Sequence, residues 1–138
     1  MKKALLLLAL AACAPQPAAS PAPASGAEAP AARTRPYELR EVDTEPVLLN
    51  REELVRVIRA NYPTLLRDAG VRGTATVRFV VGVDGIPERS SIHTASTTHP
   101  DFGFAGERAA AAMRFSPARI GGVPVRAYVT VPISFSLQ

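Results

Sequence analysis

The sequence predicts a small α+β domain, and three patterns support this assignment. Residues 73–83 alternate between apolar and polar side chains, which is the period of a half-buried strand. Asp84-Gly85 follows directly, and this dipeptide favours a hairpin turn and therefore antiparallel pairing. Stretches with helical spacing follow Asn50 and Asp101. We therefore expect a small antiparallel sheet combined with helices.

The first helix is predicted to begin at Asn50. Glu53 follows three residues later, as in a capping box in which its side chain reaches back to the first residue. Pro63 should break or restart the helix, and Gly70 should end it as the residue after the C-cap. The apolar residues that recur at helical spacing are Leu54, Val55, Ile58, Tyr62, Leu65, Leu66 and Ala69.

The strand over residues 73–83 and the helix after Asp101 should face each other. The Asp84-Gly85 turn should be of type I′, since both positions tolerate a positive φ, and a return strand is expected at about residues 88–96. Asp101 is the expected N-cap of the second helix, whose small residues indicate a close approach to the sheet. The apolar positions are Ala75, Val77, Phe79, Val81 and Val83 on the strand, and Ala105, Ala109, Ala112 and Met113 on the helix.

The last strand is predicted to lie at the edge of the sheet. Alternation runs from Val123 to Phe135, after a turn at Gly121-Gly122, and Pro132 lies within it. Because proline has no N–H to donate, it belongs on an edge strand or at a bulge. Residues 37–47 are charged and irregular, and they could form either a short strand or a docking strap.

Residues 1–12 have the order of a secretory signal peptide. Lys2 and Lys3 precede a short apolar run, which is too short to span a bilayer. Cys13, the only cysteine, follows Leu-Ala-Ala and resembles the lipobox of bacterial lipoproteins. That resemblance implies cleavage before Cys13 and lipid attachment to it; the alternative is a soluble secreted protein.

Residues 13–36 are predicted to be a disordered linker, held to the membrane through Cys13. They are rich in alanine and proline, cannot build a core, and favour extended polyproline II conformations. The folded domain is therefore expected over residues 37–138, with its core in residues 50–138.

Charge and chemistry argue against nucleic-acid binding and against an enzyme. Without Lys2 and Lys3, 14 basic residues remain against 12 acidic ones, and they form no basic stripe. The histidines and nearby polar residues show no convergent acid, base and nucleophile, and no convincing metal-ligand spacing. We expect no enzymatic activity, no cofactor and no metal; the residues considered were Ser90, Ser91, His93, His99 and Asp101.

Short motifs in a fixed order run through residues 62–135. They are Tyr62-Pro63, Gly70-Val71-Arg72-Gly73, Val77-Arg78-Phe79-Val80-Val81, Asp84-Gly85, Met113-Arg114-Phe115-Ser116-Pro117-Ala118, Val123-Pro124-Val125 and Val131-Pro132-Ile133-Ser134-Phe135. The ordered set resembles the TonB C-terminal domain family, with Met113 where many members carry tryptophan. The motif residues carried over are Tyr62, Pro63, Asp84, Gly85, Phe115, Pro117 and Ala118.

The resemblance implies a three-stranded antiparallel sheet with helices on one face. It also implies a role in carrying energy from an inner-membrane motor to outer-membrane transporters, through pairing of an exposed strand with a peptide near the transporter's N-terminus. The alternative for that strand is an ordinary edge, blunted by Arg126 and Pro132. The matching partner-binding residues are Val125, Arg126, Ala127, Tyr128, Val129, Thr130 and Val131.

The lipobox takes the place of the transmembrane anchor usual in the family. We expect a domain on the periplasmic side of the envelope, with the outer membrane favoured because Ala14, not aspartate, follows Cys13. The expected partner is the N-terminal segment of an outer-membrane transporter or another envelope protein. Two further alternatives stay open: a non-transducing structural or adaptor lipoprotein, and a homodimer formed by strand pairing.

Overall fold

The computed structural model describes residues 35–137, which form an α+β fold. The predicted signal peptide, the lipidation site at Cys13 and the linker up to residue 34 lie outside the described residues. The helices are α1 (Arg51–Ala60), α2 (Thr64–Asp68) and α3 (Pro100–Ala112). The strands are β1 (Gly73–Val81), β2 (His93–Thr97), β3 (Ala118–Ile120), β4 (Val123–Val125) and β5 (Ala127–Phe135).

The main sheet has three antiparallel strands in the order β2-β1-β5. β1 pairs with β5 along its whole length, from Gly73 opposite Phe135 to Val81 opposite Ala127. β2 pairs with only part of β1, and a bulge interrupts the register between Thr76 and Val77. β5 is therefore an edge strand, as the position of Pro132 predicts.

The helices pack on one face of this sheet, over the apolar side of β1. Phe102 of α3 stacks on Phe135 of β5 with ring centroids 4.8 Å apart, and Tyr62 meets both rings edge-on. A Cβ added to Gly106 would lie 3.0 Å from the Cβ of Ala75, which confirms the predicted close approach of α3. No helix within residues 35–137 has the length and apolar character needed to cross a membrane.

The break at Pro63 and the end at Gly70 are both confirmed. α1 ends at Ala60, and α2 begins directly after Pro63. Gly70 has φ +69°, its N–H donates to Arg67 C=O, and the N–H of Val71 donates to Leu66 C=O. This pair of bonds is a Schellman motif, which satisfies carbonyls that the helix end leaves unpaired.

Both predicted helix starts need correction in their cap chemistry. The Asn50 side chain caps no N–H of α1; its amide donates to Glu53 and to Ala112 C=O instead. The N-cap of α3 is His99, whose Nδ1 accepts from the N–H of Asp101 at 3.2 Å. Pro100 takes the first helical position, so the cap falls one residue before it.

The turn after β1 is also different from the prediction. Within residues 35–137 no residue other than glycine has a positive φ, so Asp84-Gly85 cannot form a type I′ turn. The turn spans 82–85 and is closed by the Gly85 N–H donating to Gly82 C=O. The chain then forms a short 3-10 helix at Arg89–Ser91, and β2 begins only at His93.

The predicted last strand is divided into β4 and β5. β4 folds back on β3 around Gly121-Gly122, whose φ angles are +56° and +78°. Arg126 lies between the two strands. The hairpin forms a second small core, whose buried members are Tyr37, Ala118, Val125 and Ala127.

Residues 37–49 form a strap, which is one of the two alternatives given by the sequence for residues 37–47. The strap makes isolated bridges from Tyr37 to Ala127, from Thr44 to Arg119 and from Leu48 to Phe115. It therefore crosses from the start of β5, past β3, to the chain that follows α3.

Candidate functional site

The outer edge of β5 is the surface on which the predicted partner-binding residues converge. At its start, the N–H of Tyr37 donates to Arg126 C=O, and the N–H of Tyr128 donates to Tyr37 C=O, both at 2.8 Å. These β5 groups point away from β1. Because backbone direction alternates along a strand, the backbone groups of Thr130, Pro132 and Ser134 also point outward.

The strap makes backbone hydrogen bonds with only the first part of this edge. After Tyr37 the chain continues into a 3-10 helix at Leu39–Glu41, which packs against β5 and borders Thr130 without pairing with its backbone. The guanidinium of Arg35 binds Glu41 at 2.8 Å, and the N–H of Glu38 donates to the same carboxylate. These hydrogen bonds, from Arg35 first, lower the pKa of Glu41 to about 2.

Beyond the strap, β5 has an open edge, which we define as residues 130–134. Thr130 and Ser134 each direct an N–H and a C=O outward, whereas Pro132 contributes only a C=O. Within residues 35–137 none of these groups has a backbone partner on that side. Pro132 has no N–H, but because its nitrogen faces away from β1 the sheet loses no hydrogen bond.

The two faces beside the open edge differ in chemistry. On the face away from the helices, the guanidinium of Arg78 lies 4.5 Å from the centre of the Tyr128 ring and binds Glu38 at 2.8 Å. On the helix face, Ile133 is buried and Val131 is half-buried. A strand added here would place alternate side chains in a polar and an apolar environment.

The opposite edge of the sheet, at β2, is less available. Glu107 of α3 accepts hydrogen bonds from both the N–H and the hydroxyl of Thr94, each at 2.9 Å. The bulge opposite Thr76 and Val77 distorts the same strand. A bulge and an occupied donor are both features that protect an edge against pairing.

The residues predicted to bind a partner, 125–131, do not all lie on the open edge. Val125 is buried in β4, opposite Ala118, and Ala127 and Tyr128 lie beside the strap. Val129 is buried, so of the predicted residues Thr130 is the exposed one on the open edge. The prediction omitted Ser134. If the nitrogen of Pro132 faces away from the sheet, the backbone groups of residues two positions before and after it must face outward too, and this signal points to Ser134.

Arg126 lies before β5, outside the open edge, and its side chain binds Glu88. Its guanidinium makes two hydrogen bonds to the carboxylate of Glu88, one of them at 2.7 Å. This contact lowers the pKa of Glu88 and raises that of Arg126, with the hydrogen bond as the main cause in each case.

The residues of the family motif build the framework and lie away from the open edge. The Tyr62 hydroxyl donates to Val71 C=O, and the N–H of Phe115 donates to Gly85 C=O at 2.9 Å. Phe115 also packs on Phe79, with ring centroids 5.8 Å apart. Of the other motif residues, Pro63 is the N-cap of α2 and Asp84 lies in the turn after β1. Pro117 directly precedes β3, and Ala118 is buried in the second small core.

Both histidines are in contact with neighbouring polar groups of the fold. His99 caps α3, and His93 Nδ1 lies 2.9 Å from Ser91 C=O. In the part of the chain that the structure describes, no three His, Cys, Asp or Glu side chains are grouped to hold a metal ion.

A strand edge that is open in this way is the kind of surface with which some small protein-interaction domains pair with extended segments of other proteins. Residues 58–137 match the family described as Gram-negative bacterial TonB protein C-terminal. The chain therefore belongs to the TonB C-terminal family. Its members are non-enzymatic periplasmic interaction domains related in general to energy-dependent outer-membrane transport.

The solved structures that are similar to this chain include two TonB C-terminal domains. The TonB C-terminal domain of Helicobacter pylori is 19% identical, with a TM-score of 0.42, and the match covers 64% of this chain and 80% of that one. The TonB C-terminal domain of Pseudomonas aeruginosa is 21% identical, with a TM-score of 0.46, and the match covers 73% and 93% respectively. No curated relative matches this sequence.

Proposed function

We propose that this domain binds an extended segment of a partner protein as an added strand along residues 130–134 of β5. The observation that carries the proposal is the row of outward N–H and C=O groups at Thr130 and Ser134, which lack a backbone partner among residues 35–137. Unpaired strand edges are templates for β-augmentation. The family supports the N-terminal segment of an outer-membrane transporter as the partner, with another envelope protein as the alternative.

The short open edge favours weak and reversible binding. Each added backbone hydrogen bond contributes a net of about 0.5–1.5 kcal/mol, and ordering the partner segment opposes this gain. A handful of such bonds supports transient pairing unless the two proteins are held close together. Attachment to the same membrane would raise the local concentration of the partner and make such pairing effective.

The proposed attachment is a lipid on Cys13, with residues 13–36 as the spacer between the membrane and the domain. The motif Leu10-Ala11-Ala12-Cys13 supports it, and Ala14 favours the outer membrane. Mass spectrometry of the mature N-terminus, combined with membrane fractionation, tests this arrangement. We expect an acylated cysteine in the outer-membrane fraction; an intact Met1 in the inner-membrane fraction would overturn the anchor.

A pair of variants at Thr130 tests the strand pairing. Thr130→Pro removes the outward N–H, whereas Thr130→Val keeps the amide and the branched side chain and removes only the hydroxyl. Thr130→Pro should weaken the binding of transporter N-terminal peptides about tenfold or more, because it removes a hydrogen bond and its ring obstructs the approach of a partner strand. Thr130→Val should change the affinity less than about twofold. Circular dichroism checks that both variants stay folded, and equal binding by the two would exclude the proposal.

The lipobox specifically favours a second function, a structural or adaptor lipoprotein that pairs with a fixed partner without transducing energy. Transport assays in cells with and without the protein separate the two. Peptide binding that persists while transport is unaffected by deleting the protein supports the adaptor.

A further inference from the structure

A groove lies between α1 and the end of β5, directly beyond the open edge. It is lined by Val55 and Ile58 of α1, by Tyr62, and by Ser134 and Leu137 at the C-terminal end of β5. Part of the apolar core is accessible from this groove. Ile58 and Leu137 are half-buried and pack on the core, and Val55 is 42% exposed.

The groove and the open edge are continuous through Ser134. The backbone of Ser134 points outward along the edge, and the same residue lines the groove. At the other end of β5, the strap already occupies the backbone of Arg126 and Tyr128. A strand that pairs with residues 130–134 can therefore extend only past Ser134, and its next residues lie over the groove.

The lining selects the chemistry of the side chain that enters. Val55, Ile58 and Leu137 offer aliphatic surface, so an aliphatic side chain gains by leaving water. Arg59 and Arg67 also line the groove, and their charges oppose a lysine or arginine from the partner.

We infer that this groove receives one aliphatic side chain, from valine, leucine or isoleucine, of the same extended segment that pairs with β5. The inference rests on the proposed strand pairing and adds a specificity site to it. The residue that enters lies just beyond the paired stretch. It follows that stretch in the partner sequence if the added strand is parallel to β5, and precedes it if the strand is antiparallel.

A leucine scan tests the inference. Serine- and threonine-rich peptides of about twelve residues each carry one leucine at a different position, and affinity is measured by fluorescence polarisation. For the unmodified domain, we expect one position to bind about tenfold more tightly than the rest, and that position also gives the strand direction.

Matched variants separate the groove from the edge. Val55→Asn should abolish the preference for that position while the other peptides bind as before. Leu65→Asn is the control, because Leu65 is 81% exposed on α2 and does not line the groove. It should leave the preference unchanged, and the helical signal in circular dichroism should be the same for both variants.

The possible outcomes show whether the groove inference fails alone or together with the proposed strand pairing. Binding that Thr130→Pro abolishes but that is indifferent to leucine position overturns the groove alone. No binding by any peptide, or binding unaffected by Thr130→Pro, overturns both. A self-association detected by light scattering and abolished by Val55→Asn would instead assign the groove to a second copy of this chain, which also overturns the inference.

Discussion

Gly85 and Phe115 are in direct backbone contact although 30 residues separate them in the sequence. The N–H of Phe115 donates to Gly85 C=O at 2.9 Å, and a Cβ on Gly85 would lie 1.9 Å from the carbonyl oxygen of Phe115. Gly85 also has φ +78°. Glycine is required here both by the turn and by the chain that passes over it.

Gly85→Ala should therefore destabilise the domain strongly. The methyl group meets backbone rather than a movable side chain, so the turn and the hydrogen bond to Phe115 must both shift. We expect a loss of about 3 kcal/mol or more in the free energy of unfolding, measured by urea denaturation.

Gly70→Ala is the matched control for Gly85→Ala. Gly70 has a similar φ of +69°, but no atom lies within 4 Å of the position of an added Cβ. It should cost only the backbone term of about 1–2 kcal/mol. Equal losses at Gly70 and Gly85 would show that the contact with Phe115 adds nothing.

Asn50 gives a second prediction, because it connects two helices rather than capping one. Its amide donates to Ala112 C=O at 2.9 Å and its Oδ1 accepts from the N–H of Arg114 at 2.9 Å. Aspartate can still accept from Arg114, but it cannot donate to Ala112 and it places a second carboxylate beside Glu53. We expect Asn50→Asp to lower the free energy of unfolding by about 1–3 kcal/mol.

Thermal unfolding of Asn50→Asp at two pH values provides the check. The loss should shrink at low pH, where protonation removes the repulsion and restores a donor. A variant as stable as the unmodified protein at neutral pH would mean that the hydrogen bond from Asn50 to Ala112 C=O adds nothing to stability.

Local signals predicted much of the fold correctly. Pro63 and Gly70 act within one turn of helix, so their effect is readable from neighbouring residues. The alternation of β1 and the edge position of Pro132 follow from side-chain period and from a missing donor. Each of these depends on chemistry within a few residues.

Other features depend on residues distant in the sequence, and these were missed or left open. Alternation continues unbroken from Val123 to Phe135, so the division at Arg126 is set by the return of β4 onto β3. Likewise, the path of the strap depends on contacts such as Val47 with Ser116, 69 residues away. No local pattern in residues 37–49 specifies those partners, and the extent of the open edge follows from that path.

The strap should also be sensitive to acid. The pKa of Glu41 is lowered to about 2, chiefly by the hydrogen bond from Arg35. A carboxylate whose pKa is lower in the folded state contributes its full stabilisation at pH values above its pKa in the unfolded chain, about 4.3. That stabilisation is lost as the pH falls through the pKa of the folded state. The stability of the unmodified protein should thus fall more steeply between about pH 4 and pH 2 than that of Glu41→Gln.

Carboxyl NMR titration measures the same effect at the residue itself. The midpoint for Glu41 should lie near the low value in the unmodified protein and move towards the ordinary range in Arg35→Gln. A midpoint that Arg35→Gln leaves in place would show that the contact between Arg35 and Glu41 is absent in solution.

Arg126→Gln distinguishes the first part of β5 from the open edge. Arg126 was predicted to bind the partner, but its guanidinium is bound to Glu88 and its C=O to the strap. We expect the variant to lose about 1 kcal/mol of stability or less, since the pair is partly exposed, and to change peptide affinity less than about twofold. Isothermal titration of the same peptide against Arg126→Gln and Thr130→Pro compares the two positions. If Arg126→Gln weakens binding as much as Thr130→Pro, the partner strand reaches further along β5 than the strap allows, and the strap must then leave the edge on binding.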